Sequence, residues 1–161
     1  MTSLAAELVA TLTARHLTIA VAESLTGGLL AAEIVRVPGA SAVFLGGIVA
    51  YSTELKNTLL GVDATVLSAH GPVHPEVAAQ MAAGVRTRLA VAGEPAAIGL
   101  STTGVAGPAF QDGHAPGTVF VGLSIGTEVH ILSLSLEGSR EEIRNKVVSE
   151  SLEKLKAVLE A

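Results

Sequence analysis

Residues 17–28 have the sequence LTIAVAESLTGG. The first six, Leu17–Ala22, form a short apolar run that is typical of a buried strand. The next six, Glu23–Gly28, predict a polar turn, and an Ala/Leu-rich helix follows to about Arg36, where Pro38-Gly39 ends it. A strand that leads through a polar turn into a helix is typical of α/β proteins, in which ligands bind beyond the carboxyl ends of the strands.

The rest of the chain continues this alternation. Strands are predicted at 42–51, 96–102, 118–125 and 129–136, and helices at 4–15, 55–60, 64–70, 75–92 and 139–159. Gly126-Thr127 is expected to join the last two strands as a hairpin, which makes the sheet mixed. Because no linker or repeat interrupts the pattern, we expect residues 1–161 to form a single domain: a three-layer α/β/α sandwich with a mixed, mostly parallel sheet.

Composition excludes several classes of function. The chain has 161 residues, 49% of them hydrophobic, but only one Tyr, three Phe and no Trp, which argues against aromatic platforms for single-stranded nucleic acid. The formal net charge of −5 argues against broad binding to DNA or RNA. The absence of Cys excludes disulfides, thiolate metal sites and a cysteine nucleophile, and it agrees with a reducing cytosol.

Neither a membrane span nor a leader peptide is expected. The longest apolar stretch, Ala42–Tyr51, is interrupted by Gly46 and Gly47 and has half the length of a spanning helix. The first 16 residues carry a Glu and no basic leader, which is unlike a signal peptide. We therefore predict a soluble, cytoplasmic protein.

Ser24 is the first candidate for chemistry, because it follows a buried strand and precedes a helix. A hydroxyl on such a turn can project as a nucleophile, while the amides of residues 25–28 can stabilise an oxyanion or a phosphate. Gly27 and Gly28 favour this interpretation, since consecutive glycines destabilise a first helical turn. The alternative is that Ser24 is only the N-cap of the helix, which is the more common role of Ser at such a position.

Tyr51 and Lys56 follow the second predicted strand. If both side chains face Ser24, Lys56 could act as the general base that a serine nucleophile needs. A lysine can do so only if burial or a neighbouring positive charge lowers its pKa. A solvated lysine on a helix surface is the more common case and remains the alternative.

A polar loop follows the third predicted strand, from Ser101 to Pro108. Its small residues let a ligand approach the backbone, and its hydroxyls supply hydrogen bonds. The loop lacks the endings of a Walker motif and of a dinucleotide fingerprint, and a simple tight connection is the alternative. Arg140 and Arg144, four residues apart on the last helix, either contact an anionic ligand or lie on the surface.

The histidines do not form a recognisable metal motif. His70 and His74 are four residues apart, but Gly71-Pro72 between them breaks the helix that would align them. His114 lies far away in the sequence, and the chain has neither Cys nor an HExxH motif. We predict no metal site.

Taken together, the motifs of the chain resemble those of the CinA C-terminal domain family, whose stand-alone members are nicotinamide-nucleotide amidohydrolases (NMN deamidases). The resemblance covers nearly the whole chain. Its motifs are AESLTGG at 22–28, VPGAS at 37–41, GGIVAYS at 46–52, Lys56, LGV at 60–62, HG at 70–71, TTGVAGP at 102–108, PGTV at 116–119 and SREEIR at 139–144. Each motif alone is weak, but their order is highly specific.

The resemblance implies hydrolysis of the carboxamide of nicotinamide mononucleotide to nicotinate mononucleotide and ammonia. It implies that Ser24 is the nucleophile, that Lys56 with Tyr51 forms the base system, that Thr103 is a hydroxyl facing the substrate and that Arg140 is a basic residue at the site. It also implies a homo-oligomer, a dimer or higher, and no metal or organic cofactor. The predicted substrate-binding residues are Leu25, Thr26, Gly27, Gly28, Thr103, Gly104, Ala106, Gly107 and Arg140.

One segment departs from the family pattern. The family usually continues the Ala-Gly-Pro segment with Asp-Gly-Gly and then Lys-Pro-Val-Gly, whereas residues 109–117 here are AFQDGHAPG. We expect this loop to touch the substrate, so the change affects specificity. Two alternatives stay open: a non-catalytic nucleotide-binding or scaffold module, and a metal-dependent hydrolase that uses His70, His74 or His114.

Overall fold

The computed structural model of the chain describes residues 2–161. Strands and helices alternate along it as the sequence predicts. The strands are β1 (Ile19–Glu23), β2 (Phe44–Val49), β3 (Ile98–Gly104), β4 (Thr118–Ile125) and β5 (Glu128–Ser135). The helices are α1 (Leu4–Ala14), α2 (Leu29–Val35), α3 (Thr53–Thr58), α4 (Ala64–His70), α5 (Pro75–Arg88) and α6 (Arg140–Glu160).

The five strands form one sheet in the order β2-β1-β3-β4-β5. β1 pairs in parallel with both β2 and β3, β4 pairs antiparallel with β3, and β5 pairs antiparallel with β4. β4 therefore runs against the other four strands, and the sheet is mixed but mostly parallel. This confirms the predicted fold class, including the hairpin between β4 and β5.

Helices cover both faces of the sheet. Side chains from α1, α2 and α6 pack on one face in an aliphatic core that includes Leu8, Leu30 and Leu155. On the other face α5 packs through Val77, Met81 and Val85. Burial of these apolar surfaces drives the three-layer arrangement.

The backbone of α5 lies directly on the sheet. A side chain at Gly99 of β3 would collide with the carbonyl of Ala82, and one at Gly122 of β4 would collide with the carbonyl of Ala78. Only glycine permits this approach. The contact fixes the beginning of α5 and the loop before it at the end of the sheet where β1, β2 and β3 end.

Several boundaries differ from the sequence-based expectation. β1 begins two residues later than predicted, at Ile19, whereas the turn before α2 and the start of α2 at Leu29 agree with the prediction. Helix α5 ends at Arg88, four residues before the predicted Ala92, because residues 91–94 form a tight turn in which Ala92 and Gly93 have φ values of 53° and 82°. A helix cannot continue through two such residues. Over residues 2–161, each helix is too short or too polar to span a bilayer.

Candidate active site

The carboxyl ends of β1, β2 and β3 lie side by side because the three strands are parallel. The segments that follow them surround a cavity of about 310 Å³. Among its lining residues are Ser24, Tyr51, Lys56, Thr103 and Arg140, which the sequence singles out from four distant segments. The topology therefore brings the predicted site residues to one place, as expected for a doubly wound sheet.

Lys56 and Ser24 are in direct contact at the base of this cavity. The Lys56 Nζ lies 3.0 Å from the Ser24 Oγ. It also donates to the main-chain carbonyl of Ala50 at 2.7 Å and lies 3.5 Å from the carbonyl of Tyr51. Lys56 is only 1% exposed, so it is not the solvated surface lysine that was the more common alternative.

The surroundings of Lys56 contain neutral oxygens but no counter-charge. Among residues 2–161, no carboxylate lies within ion-pairing distance of its amine. Burial without a compensating charge disfavours the ammonium form. This desolvation lowers the pKa of Lys56 from its ordinary value of 10.5 to about 8, in the range that a general base needs near neutral pH.

Ser24 lies in a turn that is fixed to the end of β3. Its N–H donates to the carbonyl of Thr102 at 3.0 Å, and the Thr102 hydroxyl hydrogen-bonds with that of Thr26 at 2.8 Å. Ser24 is not the N-cap of α2, because that position is taken by Gly28 with a φ of 105°. Its side chain is thus available for the contact with Lys56.

Glu23 explains why the N-terminus of α2 needs no serine cap. Its buried carboxylate accepts hydrogen bonds from the backbone N–H groups of Gly28, Leu30 and Ala31 at 2.9–3.1 Å. From the sequence, Glu23 is expected only to be part of a polar turn. A glutamate at the end of a strand and six residues before the start of a helix is the signal that could have identified its role.

This arrangement corrects part of the predicted oxyanion site. The N–H of Gly28 donates to Glu23, and the N–H of Gly27 donates to the carbonyl of Ser24. The cavity lining includes Leu25 but not Thr26, Gly27 or Gly28. The amide of Leu25, which does line the cavity, has no acceptor within residues 2–161, so it remains the candidate donor to an oxyanion.

Arg144 supports the same turn from outside. Its Nε donates to the carbonyl of Leu25 at 2.8 Å, and its Nη2 donates to the carbonyl of Thr26 at 3.2 Å. The alternatives left open for Arg144 were an anionic ligand or a surface position. The structure shows a third role, in which the guanidinium holds the carbonyls of Leu25 and Thr26 in the turn after Ser24.

Tyr51 contributes differently from what the resemblance implies. Its hydroxyl hydrogen-bonds with Arg140 Nη2 at 3.0 Å, and its side chain is 60% exposed at the mouth of the cavity. What it presents to Lys56 is its main-chain carbonyl. The Tyr51 hydroxyl therefore contacts Arg140 and not the Lys56 amine.

The loop after β3 forms the opposite wall. Thr103 is buried, and its hydroxyl donates to the carbonyl of Pro72 at 2.7 Å. Gly107 accepts a hydrogen bond from Arg140 Nη1 at 2.7 Å. The N–H groups of Ala106 and Gly107 have no acceptor in the part of the chain that the structure describes. Together with the exposed Arg140 they are candidate donors to an anion.

His70 and His74 lie near this wall, with stacked rings whose centroids are 4.1 Å apart. The His74 Nδ1 accepts a hydrogen bond from the N–H of Glu76 and so caps α5. Burial, followed by the neighbouring His70, lowers the pKa of His74. Across residues 2–161, no three His, Asp or Glu side chains come together in a group that could hold a metal ion.

Pro72 and Val73, which lie just before α5, also line the cavity and were not singled out from the sequence. Phe110 and Gln111 line it as well, and they belong to the segment that departs from the family pattern and was expected to touch the substrate. Phe110 is 71% exposed, which is unusual for a phenylalanine.

Comparison with known proteins identifies the family. The model of the CinA C-terminal domain matches residues 1–159. The chain belongs to this family. A CinA-like protein of Frankia casuarinae is 48% identical over 145 residues, which are 90% of this chain and 32% of the relative. The chain thus spans about a third of the length of the curated relatives it matches.

Solved structures of the CinA superfamily have the same fold. A superfamily protein from Enterobacter cloacae superposes with a TM-score of 0.91 at 28% identity, covering 97% of this chain and 90% of its own. The competence/damage inducible protein CihA from Agrobacterium tumefaciens gives a TM-score of 0.90 at 32% identity, with 98% and 94% covered. The resemblance seen in the sequence is therefore confirmed at the level of family and fold.

Proposed function

We propose that this CinA-family domain hydrolyses the carboxamide of nicotinamide mononucleotide to nicotinate mononucleotide and ammonia, with Ser24 as nucleophile and Lys56 as general base. The observation that carries the proposal is the 3.0 Å contact between the Ser24 Oγ and the Lys56 Nζ in a site that shields the amine from water. Family membership supports it, and the specific reaction rests on this contact.

The three neighbours of the Lys56 Nζ fit a neutral amine. The carbonyls of Ala50 and Tyr51 can accept its two hydrogens. Its lone pair then faces the third neighbour, the hydroxyl of Ser24, which donates its proton. With a pKa of about 8, roughly one lysine in ten is neutral at pH 7, and the fraction rises with pH.

The reaction then follows acyl transfer. The Ser24 Oγ attacks the amide carbon while its proton passes to Lys56, and the tetrahedral oxyanion accepts a hydrogen bond from the free amide of Leu25. Protonated Lys56 gives its proton to the departing ammonia, which leaves an acyl-enzyme. Water, activated by the neutral Lys56, attacks the acyl carbon and releases the carboxylate product and Ser24.

The wall opposite Ser24 suits the phosphate of a mononucleotide. Arg140 supplies a positive charge, and the amides of Ala106 and Gly107 supply donors. The overall charge of −5 does not oppose this, because salt screens distant charges and the nearby groups dominate. No step in this sequence draws on a metal or cofactor. A homo-oligomer in the cytoplasm remains part of the proposal.

The test is ammonia release from nicotinamide mononucleotide in the presence of a chelator. We expect turnover by the wild type, a loss of at least about 10³-fold in Ser24→Ala, and no change in Ser149→Ala, which alters an exposed serine on α6. Turnover that survives in Ser24→Ala would reject the mechanism. Nucleotide binding without any product would instead favour the non-catalytic binding module, and inhibition by the chelator would favour a metal-dependent hydrolase.

A further inference from the structure

The distribution of aromatic side chains is uneven. The chain contains only one Tyr and three Phe. Two of these four, Tyr51 and Phe110, line the cavity that contains Ser24, and they are 60% and 71% exposed. The other two, Phe44 and Phe120, are half-buried in strands. A protein with so few aromatic residues thus exposes two of them at the entrance to its candidate active site.

The exposure of Phe110 does not come from a loose loop. Residues 111–114 form a tight turn in which Gln111 and His114 exchange two backbone hydrogen bonds of 3.1 and 2.8 Å. Its central residues, Asp112 and Gly113, have φ values of 49° and 81°, as in a type I′ turn. Asp-Gly is a preferred pair for this turn, so the sequence itself fixes the backbone next to Phe110.

A second turn of the same kind provides an internal reference. Val91 and Glu94 also exchange two hydrogen bonds, and Ala92 and Gly93 between them have positive φ values. Val91 is 56% exposed but does not line the cavity. An exposed apolar residue at the start of such a turn, or next to it, is therefore tolerated in this fold, and what distinguishes Phe110 from Val91 is its place on the cavity wall.

We propose that Phe110 is a specificity-determining residue that contacts the planar, cationic ring of the substrate. This inference rests on the proposed function, because Ser24 sets where the reacting amide must lie and Arg140 sets where the phosphate lies. A pyridinium ring between them is attracted to an aromatic face by dispersion and by cation–π attraction. The site then selects amides carried by a heteroaromatic ring over aliphatic amides.

Calorimetry with two ligands tests this without relying on turnover. Nicotinate mononucleotide carries the ring, and ribose 5-phosphate lacks it. In Phe110→Ala we expect the Kd of nicotinate mononucleotide to rise about 3- to 10-fold, while that of ribose 5-phosphate stays within twofold. Phe110→Tyr should restore ring binding, Phe110→Leu should not restore it, and Val91→Ala should change neither Kd.

The opposite results would overturn the inference: an unchanged Kd in Phe110→Ala, an equal loss for both ligands, or a wild type that binds neither. The same variants in the ammonia assay separate this inference from the proposed function. Ring-selective binding without turnover would refute the hydrolysis and leave the role of Phe110 intact. Turnover with an unchanged KM in Phe110→Ala would refute the role of Phe110 and leave the hydrolysis intact.

Discussion

Glu23, the residue before Ser24, and Lys56, which contacts the Ser24 hydroxyl, are both 1% exposed, but their surroundings differ. Three backbone N–H groups at the start of α2 point at the Glu23 carboxylate. Lys56 faces only a hydroxyl and two carbonyls, and burial lowers its pKa. A buried carboxylate that is matched by fixed donors anchors structure, whereas a buried amine without a counter-charge is suited to exchanging a proton.

This contrast yields a first prediction, on activity. Lys56→Met keeps an unbranched side chain of similar length but removes the amine, so we expect amide hydrolysis to fall about 10²- to 10⁴-fold. Lys146→Met, which alters an exposed lysine on α6, should have no effect. The measurement is kcat/KM for ammonia release. A Lys56→Met variant with more than a tenth of the wild-type rate would show that Lys56 is not the base.

A second prediction concerns the stability that the buried Glu23 carboxylate contributes. Glu23→Ala removes the acceptor for the N–H groups of Gly28, Leu30 and Ala31, so we expect the free energy of unfolding to fall by about 2–4 kcal/mol. Glu33→Ala, on helix α2 itself, removes only a surface ion pair with Arg36 and should cost less than about 1 kcal/mol. Urea titration measures both. An equal loss of unfolding free energy in the two variants would show that the Glu23 carboxylate does not specifically stabilise the start of α2.

A third prediction uses pH. The folded pKa of Lys56 is about 8 and its ordinary value is 10.5, so between these values the unfolded chain binds more protons than the folded one. Stability therefore rises with pH in this window, and the penalty for burying the charge is fully present only below about pH 8. From pH 8 to 9.5 the wild type should gain about 1.5 kcal/mol relative to Lys56→Met.

The same titration predicts the rate profile. Activity should increase with pH and level off above about 8, because the neutral amine is the active form. Urea titrations of the wild type and Lys56→Met at pH 8 and 9.5 measure the predicted change in stability. A pH–rate curve of the wild type measures the predicted change in activity. If the free energies of unfolding of the two proteins changed equally between pH 8 and 9.5, the pKa of Lys56 would not be lowered, even if Lys56→Met is inactive.

Much of the fold could be predicted because its signals are local. Short apolar runs, 3–4 residue spacing and Gly/Pro boundaries identified each strand and helix, and the parallel topology followed from their alternation. The predicted end of α5 at Ala92 was wrong. Apolar residues continue beyond Arg88, where the helix ends, but residues 91–94 form a turn outside the helix. Periodicity reports which face is buried but not where the backbone leaves the helix.

The site was predicted less completely, for a reason that particular residues make clear. Ser24, Lys56 and Arg140 were singled out by their positions after strands or at a helix start. Glu23 and Arg144 were not recognised as supports, because their roles consist of hydrogen bonds to specific backbone groups. In the case of Arg144 the partner, Leu25, is 119 residues away in the sequence.

By itself the sequence determined the alternation of strands and helices, the aliphatic core and the order of motifs that marks the family, because side-chain hydrophobicity and backbone preference act over a few residues. Only the tertiary structure decided that Lys56 is buried against Ser24, 32 positions away, rather than solvated on α3. The pKa of an amine depends on every group that packs around it. Those groups come together only when the parallel strands set their carboxyl ends side by side.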